Sequence, residues 1–139
     1  MVDREVREIL ERYCRENKPT IYERPEEFLR CKEFLLKQRY TGKLYRETSY
    51  EPLTQVKEGD IIDYTNRFTS WSTEYDVADC RVCEKSIILI LDAKDIPGYD
   101  VTRFSDYNEK EVLCAPGLKL RVGKRVGIKV YVEQSETSD

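Results

Sequence analysis

Apolar residues recur at helical spacing along the first seventeen positions. Val6, Ile9, Leu10, Tyr13 and Cys14 fall on one stripe, and charged residues fill the rest of the turn. That is the pattern of a surface helix with one buried face. The spacing predicts a helix over 3–17, with Asp3 as its N-cap. A loop through Asn17, Pro19 and Thr20 follows. A second helix is predicted from Pro25, since proline suits the first helical position and Glu26 and Glu27 suit the positive end of the dipole. Phe28, Cys31, Phe34 and Leu35 form its buried side. Lys37 and Arg39 complement its end, and Gly42 is the expected stop.

After Gly42 the period shortens from helical to alternating. Strands are predicted over 43–48, 60–64, 67–72, 86–91, 111–114, 118–122 and 126–132. Ser86-Ile87-Ile88-Leu89-Ile90-Leu91 is a continuous apolar run, as expected of a central strand buried on both faces. Gly59-Asp60, Pro97-Gly98, Pro116-Gly117 and Gly123 punctuate the rest. Helices come first and strands after, so the chain reads as one α+β domain over 1–139. Its helical part is 1–41, its β core 42–132, and its polar end, 133–139, is expected to fray.

Composition narrows the function classes. A length of 139 residues suits a single core. The net charge of -3 argues against a nucleic-acid partner held by phosphate electrostatics. A basic stretch, Lys119, Arg121, Lys124, Arg125 and Lys129, mostly alternates with Leu120, Val122, Val126 and Ile128, which fits a solvated strand face. No apolar run approaches the ~18 residues that span a bilayer. The first residues are charged and lack a signal-peptide core, so the chain is expected to act inside the cell that makes it, with export by a non-classical route left open.

The five cysteines, an odd number without a secretory signal, favour reduced thiols. Cys80-Arg81-Val82-Cys83 has the spacing of half a zinc site, but only Cys114 follows as a further sulfur donor. Ordinary buried or half-buried thiols are the plainer reading, and a small zinc-containing interaction domain the alternative. The chain has no histidine. Catalytic Ser-His-Asp and Cys-His pairs, imidazole bases and His-ligated metals are therefore excluded.

Three elements carry candidate chemistry. Leu44 and Arg46 share a side under strand alternation; Arg46 either snorkels past its apolar neighbour or aims a planar fork at a phosphate. Phe68-Thr69-Ser70-Trp71-Ser72-Thr73 is hydroxyl-rich, which serves cross-strand pairing or lets Ser70 orient a carboxylate on a neighbouring strand. Glu109 and Glu111 project to one side of a strand, roughly 7 Å apart. They are either a solvated edge or, because Leu113 carries the same side inward, the lining of a cleft.

In that order these motifs resemble the arginine–serine–glutamate class of mono-ADP-ribosyltransferases, shared by clostridial-type toxins and arginine-specific ecto-enzymes. The match runs through Tyr45-Arg46, Phe68 to Ser72, Glu109-Lys110-Glu111-Val112-Leu113 and the turn and strand Ala115 to Val122. It spans about residues 43–132. The resemblance implies N-terminal helices packed on a two-sheet β-sandwich core. It implies NAD as the substrate, release of nicotinamide, and transfer of ADP-ribose to an acceptor protein, with arginine as the favoured side chain and no metal. Glu111 would face the sugar as it turns cationic, Ser70 would orient Glu111 and the nicotinamide side, and Arg46 would hold the diphosphate or adjacent ribose. Tyr45, Trp71 and Ser72 fall among the NAD-binding positions, and Glu109 would face the acceptor.

Trp71 stands where the family usually has threonine, so its ring points either to the core or onto the ligand. Tyr75 and Arg81 are candidates for the nicotinamide and phosphate clamp, and Tyr107 or Phe104 for the aromatic before Glu109. The branch of the superfamily that needs a histidine is excluded. A monomer is expected. A catalytically silent NAD- or protein-binding domain of the same fold is the alternative, and within the enzyme class a nucleobase or another side chain remains open as acceptor.

Overall fold

The computed structural model describes residues 2–16, 18–104 and 110–135. Helix α1, Arg4–Arg15, starts where the Asp3 carboxylate accepts the Val6 N–H at 2.8 Å. That bond satisfies one of the first turn's free donors. Val6, Ile9 and Leu10 are buried, as the stripe requires. Helix α2, Pro25–Leu36, opens on its proline and buries Cys31 and Leu35, with Phe28 and Phe34 partly covered. It stops well short of Gly42. The Lys37 N–H closes the last turn on the Phe34 carbonyl at 3.2 Å, and strand β1, Tyr40–Thr48, is already running at Gly42. Gly42 has φ +145, and a Cβ there would meet the Tyr40 hydroxyl at 3.0 Å. It serves an irregularity in the pairing of β1 with the next long strand rather than a helix end.

The remaining strands are β2, Ile61–Tyr64; β3, Thr69–Ser72; β4, Ile87–Ile96; β5, Gly98–Asp100; β6, Glu111–Cys114; β7, Leu118–Val126; and β8, Lys129–Gln134. Two short helices intervene, α3 at Glu51–Thr54 and α4 at Tyr75–Asp79. Among the described residues the strands join in the order β2-β7-β8-β4-β1-β3-β6-β5. All pairs are antiparallel except β4 with β8. The ladder has a weak point: β1 meets β3 at a single pair, Tyr45 with Ser72. The expected two sheets are therefore a five-stranded lobe and a three-stranded lobe, continuous through that one pair.

Each lobe turns one face to the other. Leu44, Leu89, Leu91, Leu120 and Val130 from the large lobe pack with Trp71, Val112 and Cys114 from the small one. The outer face of the small lobe, with Leu113 and Phe68, is covered by α1 and α2. The outer face of the large lobe, with Ile88 and Ile90, is covered by Ala78 of α4. Strand β4 is buried on both faces over 87–91, as its unbroken apolar run predicts. It then extends to Ile96, past the apolar run, because pairing with β1 continues to Tyr40. Strand β7 runs through Gly123, where the register with β8 shifts between Val122 and Arg125. The reversal falls at Gly127, φ +61, a left-handed position that favours glycine.

Candidate active site

The junction of the lobes builds the site. Ser72 of β3 faces Tyr45 on one side and Glu111 of β6 on the other, while Ser70 lies opposite Leu113. Directly opposed residues of antiparallel strands project to the same face. Ser70, Ser72 and Glu111 therefore share a face, and Arg46 reaches it from the inner side of β1. All four border one recess of about 410 Å³, part of it open to solvent. Glu47 and Arg81 add to its polar rim, and Val77 and Ala78 form the α4 wall.

Glu111 is half-buried, and its backbone is tied on every side. Its N–H donates to Thr102 Oγ1 at 3.0 Å, and its carbonyl accepts the Val101 N–H at 2.9 Å. The preceding Lys110 has φ +52, a strained angle for a residue with a side chain. Its carbonyl accepts the Thr73 N–H at 2.9 Å. The start of β6 is thus fixed from both neighbours before any ligand arrives.

The Arg46 guanidinium donates from Nη1 to the Ser70 carbonyl at 2.9 Å and sits 5.6 Å from the centre of the Tyr64 ring. Its Nε is buried with no partner among the described residues. The arginine is thus seated in the seam between lobes, with its charge at the recess. Tyr13 of α1 also arrives here. Its hydroxyl has a hydrogen-bonding contact with Ser70, and both Glu111 and Arg46 are close enough to act on its titration. Burial, above all, pushes that phenol well above its ordinary value, with the neighbouring Tyr22 adding to the rise. In the sequence Tyr13 is one more member of an apolar stripe. Only the hydroxyl at its tip distinguishes it from core, and nothing in a linear pattern aims that hydroxyl at Ser70.

No family model and no curated protein matches the sequence, but solved structures do. The ADP-ribosyltransferase Vis, from Vibrio splendidus, superposes with a TM-score of 0.68 over 98% of this chain and 75% of its own, at 22% identity. C3stau2 from S. aureus, solved with NAD, gives 0.76 over 98% and 89%, at 12% identity. The eukaryotic mono-ADP-ribosyltransferase ART2.2 gives 0.69 over 99% and 69%, at 16% identity. This chain has the mono-ADP-ribosyltransferase fold.

Within the ADP-ribosyltransferase fold the other expected residues take definite places. Trp71 is 1% exposed and turned into the core, its indole N–H donating to Thr69 Oγ1 at 2.8 Å. It borders the recess only from within. The Ser72 hydroxyl sits 3.1 Å from both the N–H and the carbonyl of Glu74, shaping the turn into α4. Tyr45 meets Tyr75 edge-on, with centroids 5.7 Å apart, and Lys129 covers the Tyr75 ring. Of the two clamp candidates, Arg81 borders the recess, while Tyr75 packs on the cluster of Ala78, Ile88 and Ile90 and is not among the lining residues. Phe104 is buried against the helices with Arg103 over its ring. Tyr107 and Glu109 lie outside the described residues.

The cysteines separate. Cys114 is in the core between lobes, where burial pushes its thiol up to about 12. Cys80 and Cys83 are exposed beyond α4. Among the described residues no group of three or more His, Cys, Asp or Glu is placed to hold a metal. No helix there is long and apolar enough to cross a membrane.

Proposed function

We propose that the chain is an NAD-dependent mono-ADP-ribosyltransferase that releases nicotinamide and passes ADP-ribose to an arginine side chain of an acceptor protein. One observation carries the reading: Arg46, Ser70 and Glu111, distant in sequence, border the same recess in a fold whose solved examples include one with NAD. When the ribose–nicotinamide bond breaks, positive charge develops on the sugar carbon. A carboxylate already fixed beside it lowers that barrier without reorganisation. Glu111, tied at its backbone, supplies it. The logic is that of glycosidase carboxylates. Ser70 positions Glu111 and the nicotinamide side, while Arg46, with Arg81 at the rim, gives positive charge for the diphosphate. Arginine as acceptor rests on Glu109, which would orient a guanidinium and take its proton late, as the new bond forms. Vis was also solved with agmatine, a guanidinium compound.

The deciding experiment pairs Glu111→Gln with Glu109→Gln. The first change keeps shape and removes charge, so nicotinamide release should fall by about 10²–10³-fold, with NAD affinity nearly kept. The second should lose transfer to agmatine or protein arginine yet keep NAD hydrolysis. Near-normal turnover in Glu111→Gln defeats the assignment. NAD binding by the wild type with no nicotinamide release over hours would favour the silent binding domain.

A further inference from the structure

The recess has a second carboxylate, Glu47, which the reaction above leaves unused. Its place follows from two registers. Alternation along β1 puts Tyr45 and Glu47 on one face. Tyr45 pairs with Ser72, and Ser72 with Glu111, so that face also bears Glu111. Strand β3 lies between β1 and β6 in the sheet. The two carboxylates therefore border the recess from opposite sides of the serine strand. The Arg46 guanidinium is bonded to that strand, at the Ser70 carbonyl.

Glu47 is held in place rather than left to solvent. It is half-buried and lies opposite Ile88 of β4, on the face that α4 covers. Ser86, only 3% exposed, donates its O–H to Glu47 Oε2 at 2.6 Å, a length typical of a charge-assisted bond to a carboxylate. The same hydroxyl oxygen accepts the Cys83 N–H at 2.9 Å, so the serine is itself fixed. A solvated glutamate on a strand needs no such support. The Ser86 bond uses Oε2 and leaves Oε1 able to accept from a ligand.

We propose that Glu47 selects the dinucleotide: it accepts hydrogen bonds from the adenosine ribose diol of NAD and turns away the 2′-phosphate of NADP. This selection rests on the functional reading above, which sets the nicotinamide ribose at Glu111. With that end fixed, and the diphosphate at Arg46 and Arg81, the second ribose falls beyond the diphosphate, on the β1 side of the recess, where Glu47 stands. A ribose diol has two O–H donors, and an ionised carboxylate only accepts. An acidic residue on a ribose 2′-OH is also how dinucleotide-binding folds of other architecture favour NAD, and that chemistry does not depend on the fold. A phosphate monoester instead carries about −1.5 to −2 charges at neutral pH. Beside Glu47 it loses the hydrogen bond and meets a like charge, in a partly enclosed recess where screening is weak. Arg46 and Arg81 do not offset this, because the diphosphate already engages them.

The test uses the full chain and compares NAD with NADP, by calorimetry for binding and by nicotinamide release for turnover. The wild type should favour NAD about tenfold or more, the size of one lost charge-assisted hydrogen bond. Glu47→Gln keeps the shape and removes the charge, so the preference should shrink to within about threefold, through weaker NAD and stronger NADP. Glu47→Asp keeps the charge and should retain most of the preference. A merely structural bond to Ser86 would weaken both nucleotides together and leave their ratio unmoved. If Glu47→Gln folds poorly, salt decides on the wild type. Screening should narrow the gap between NADP and NAD as ionic strength rises, and a ratio indifferent to salt overturns the proposal. A wild type that treats the two nucleotides alike, or a Glu47→Gln variant with the full preference, also overturns it while the transferase reading stands. NAD bound in preference to NADP, with no nicotinamide released from either, defeats the transferase reading instead, and the binding ratio of Glu47→Gln still decides the selection. A wild type that binds neither nucleotide overturns both.

Discussion

The two outer faces of the folded sheet are covered very differently. The small lobe lies under two helices of 12 residues each. Between them Leu10, Cys31, Leu35 and Leu113 are fully buried, and Phe68 is ringed by Phe28, Tyr13 and Tyr22 at centroid distances of 4.9, 5.9 and 6.1 Å. The large lobe's outer face, among the described residues, has Ala78, Ile88 and Ile90 with Tyr45, Tyr75 and Val82 partly covered. The recess lies where these faces meet. The wall bearing Ser70 and Glu111 is built on the deep packing, and the wall bearing Arg81 on a helix of five residues. Catalytic geometry must hold within fractions of an ångström, so the carboxylate of the proposed reaction belongs on the deep side. Segments with few buried apolar contacts open at low free-energy cost, so the rim that admits a ligand belongs on the shallow side.

The sharpest way to break this contrast is to hollow the deep side. Leu10 is fully buried beneath α1, so Leu10→Ala should cost about 2–5 kcal/mol, read by urea unfolding. A cost below about 1 kcal/mol would mean that the helices rest loosely on the sheet, in the range of surface changes.

Alkali tests the same packing without mutation. Cys31, under the helices, and Cys114, between the lobes, have thiols pushed by burial from 9.0 to about 12. The folded state keeps these protons in a range where the unfolded state loses them. Their contribution to stability is complete below pH 9 and lost as pH rises towards about 12. The slope should approach about 1.4 kcal/mol per pH unit for each thiol. Urea midpoints should fall steeply above pH 9, and Cys31→Ala should flatten the fall. An unchanged slope in that variant would remove Cys31 from the explanation.

Tyr13 is where the deep side touches the recess, through its contact with Ser70. Tyr13→Phe keeps the ring against Phe68 and removes only the hydroxyl beside Ser70. Stability should change little, while kcat for nicotinamide release should fall about tenfold, a loss of about 1.4 kcal/mol, with KM for NAD nearly constant. A fall in stability with kcat intact would return Tyr13 to the core alone.

The deep side is also the side the sequence reveals. The stripe Val6, Ile9, Leu10 needs a continuous apolar partner, and long amphipathic helices declare their period. Strands β1 to β4 and β6 to β8 were foreseeable, because alternation, or an unbroken apolar run, survives over four or more residues. Strand β5 and helices α3 and α4 were not, since three to five residues hold less than two periods of anything. Resemblance and order along the chain single out Arg46, Ser70 and Glu111 as a set; the structure puts all three at one recess, and the β3–β6 register brings Ser72 and Glu111 face to face. Tyr13 and Glu47 were hidden, because their places beside Ser70 and at the recess come from tertiary neighbours and from no local pattern. Gly42 misled for a related reason: a glycine after a basic helix end fits a stop, but pairing with β4 had already drawn the chain into a strand.

The smallest expected effect tests the shallow side. Val82 is half-buried, packs on the cluster of Ala78, Ile88 and Ile90, and sits between Arg81 and Cys83. Val82→Ala removes two methyl groups that are already partly wet, so it should cost about 0.5–1 kcal/mol. Its influence on function should exceed its influence on stability. With less apolar contact holding the loop, Arg81 samples more positions, and KM for NAD should rise about threefold, or roughly 0.6 kcal/mol, while kcat, which the proposed function sets across the recess at Glu111, stays level. Paired measurements of urea midpoint, KM and kcat on this variant and on Leu10→Ala separate the two walls. Equal losses of stability would mean that the face under α4 is packed as deeply as the face under α1 and α2, and the division between a fixed catalytic wall and an adjustable rim would have to be abandoned.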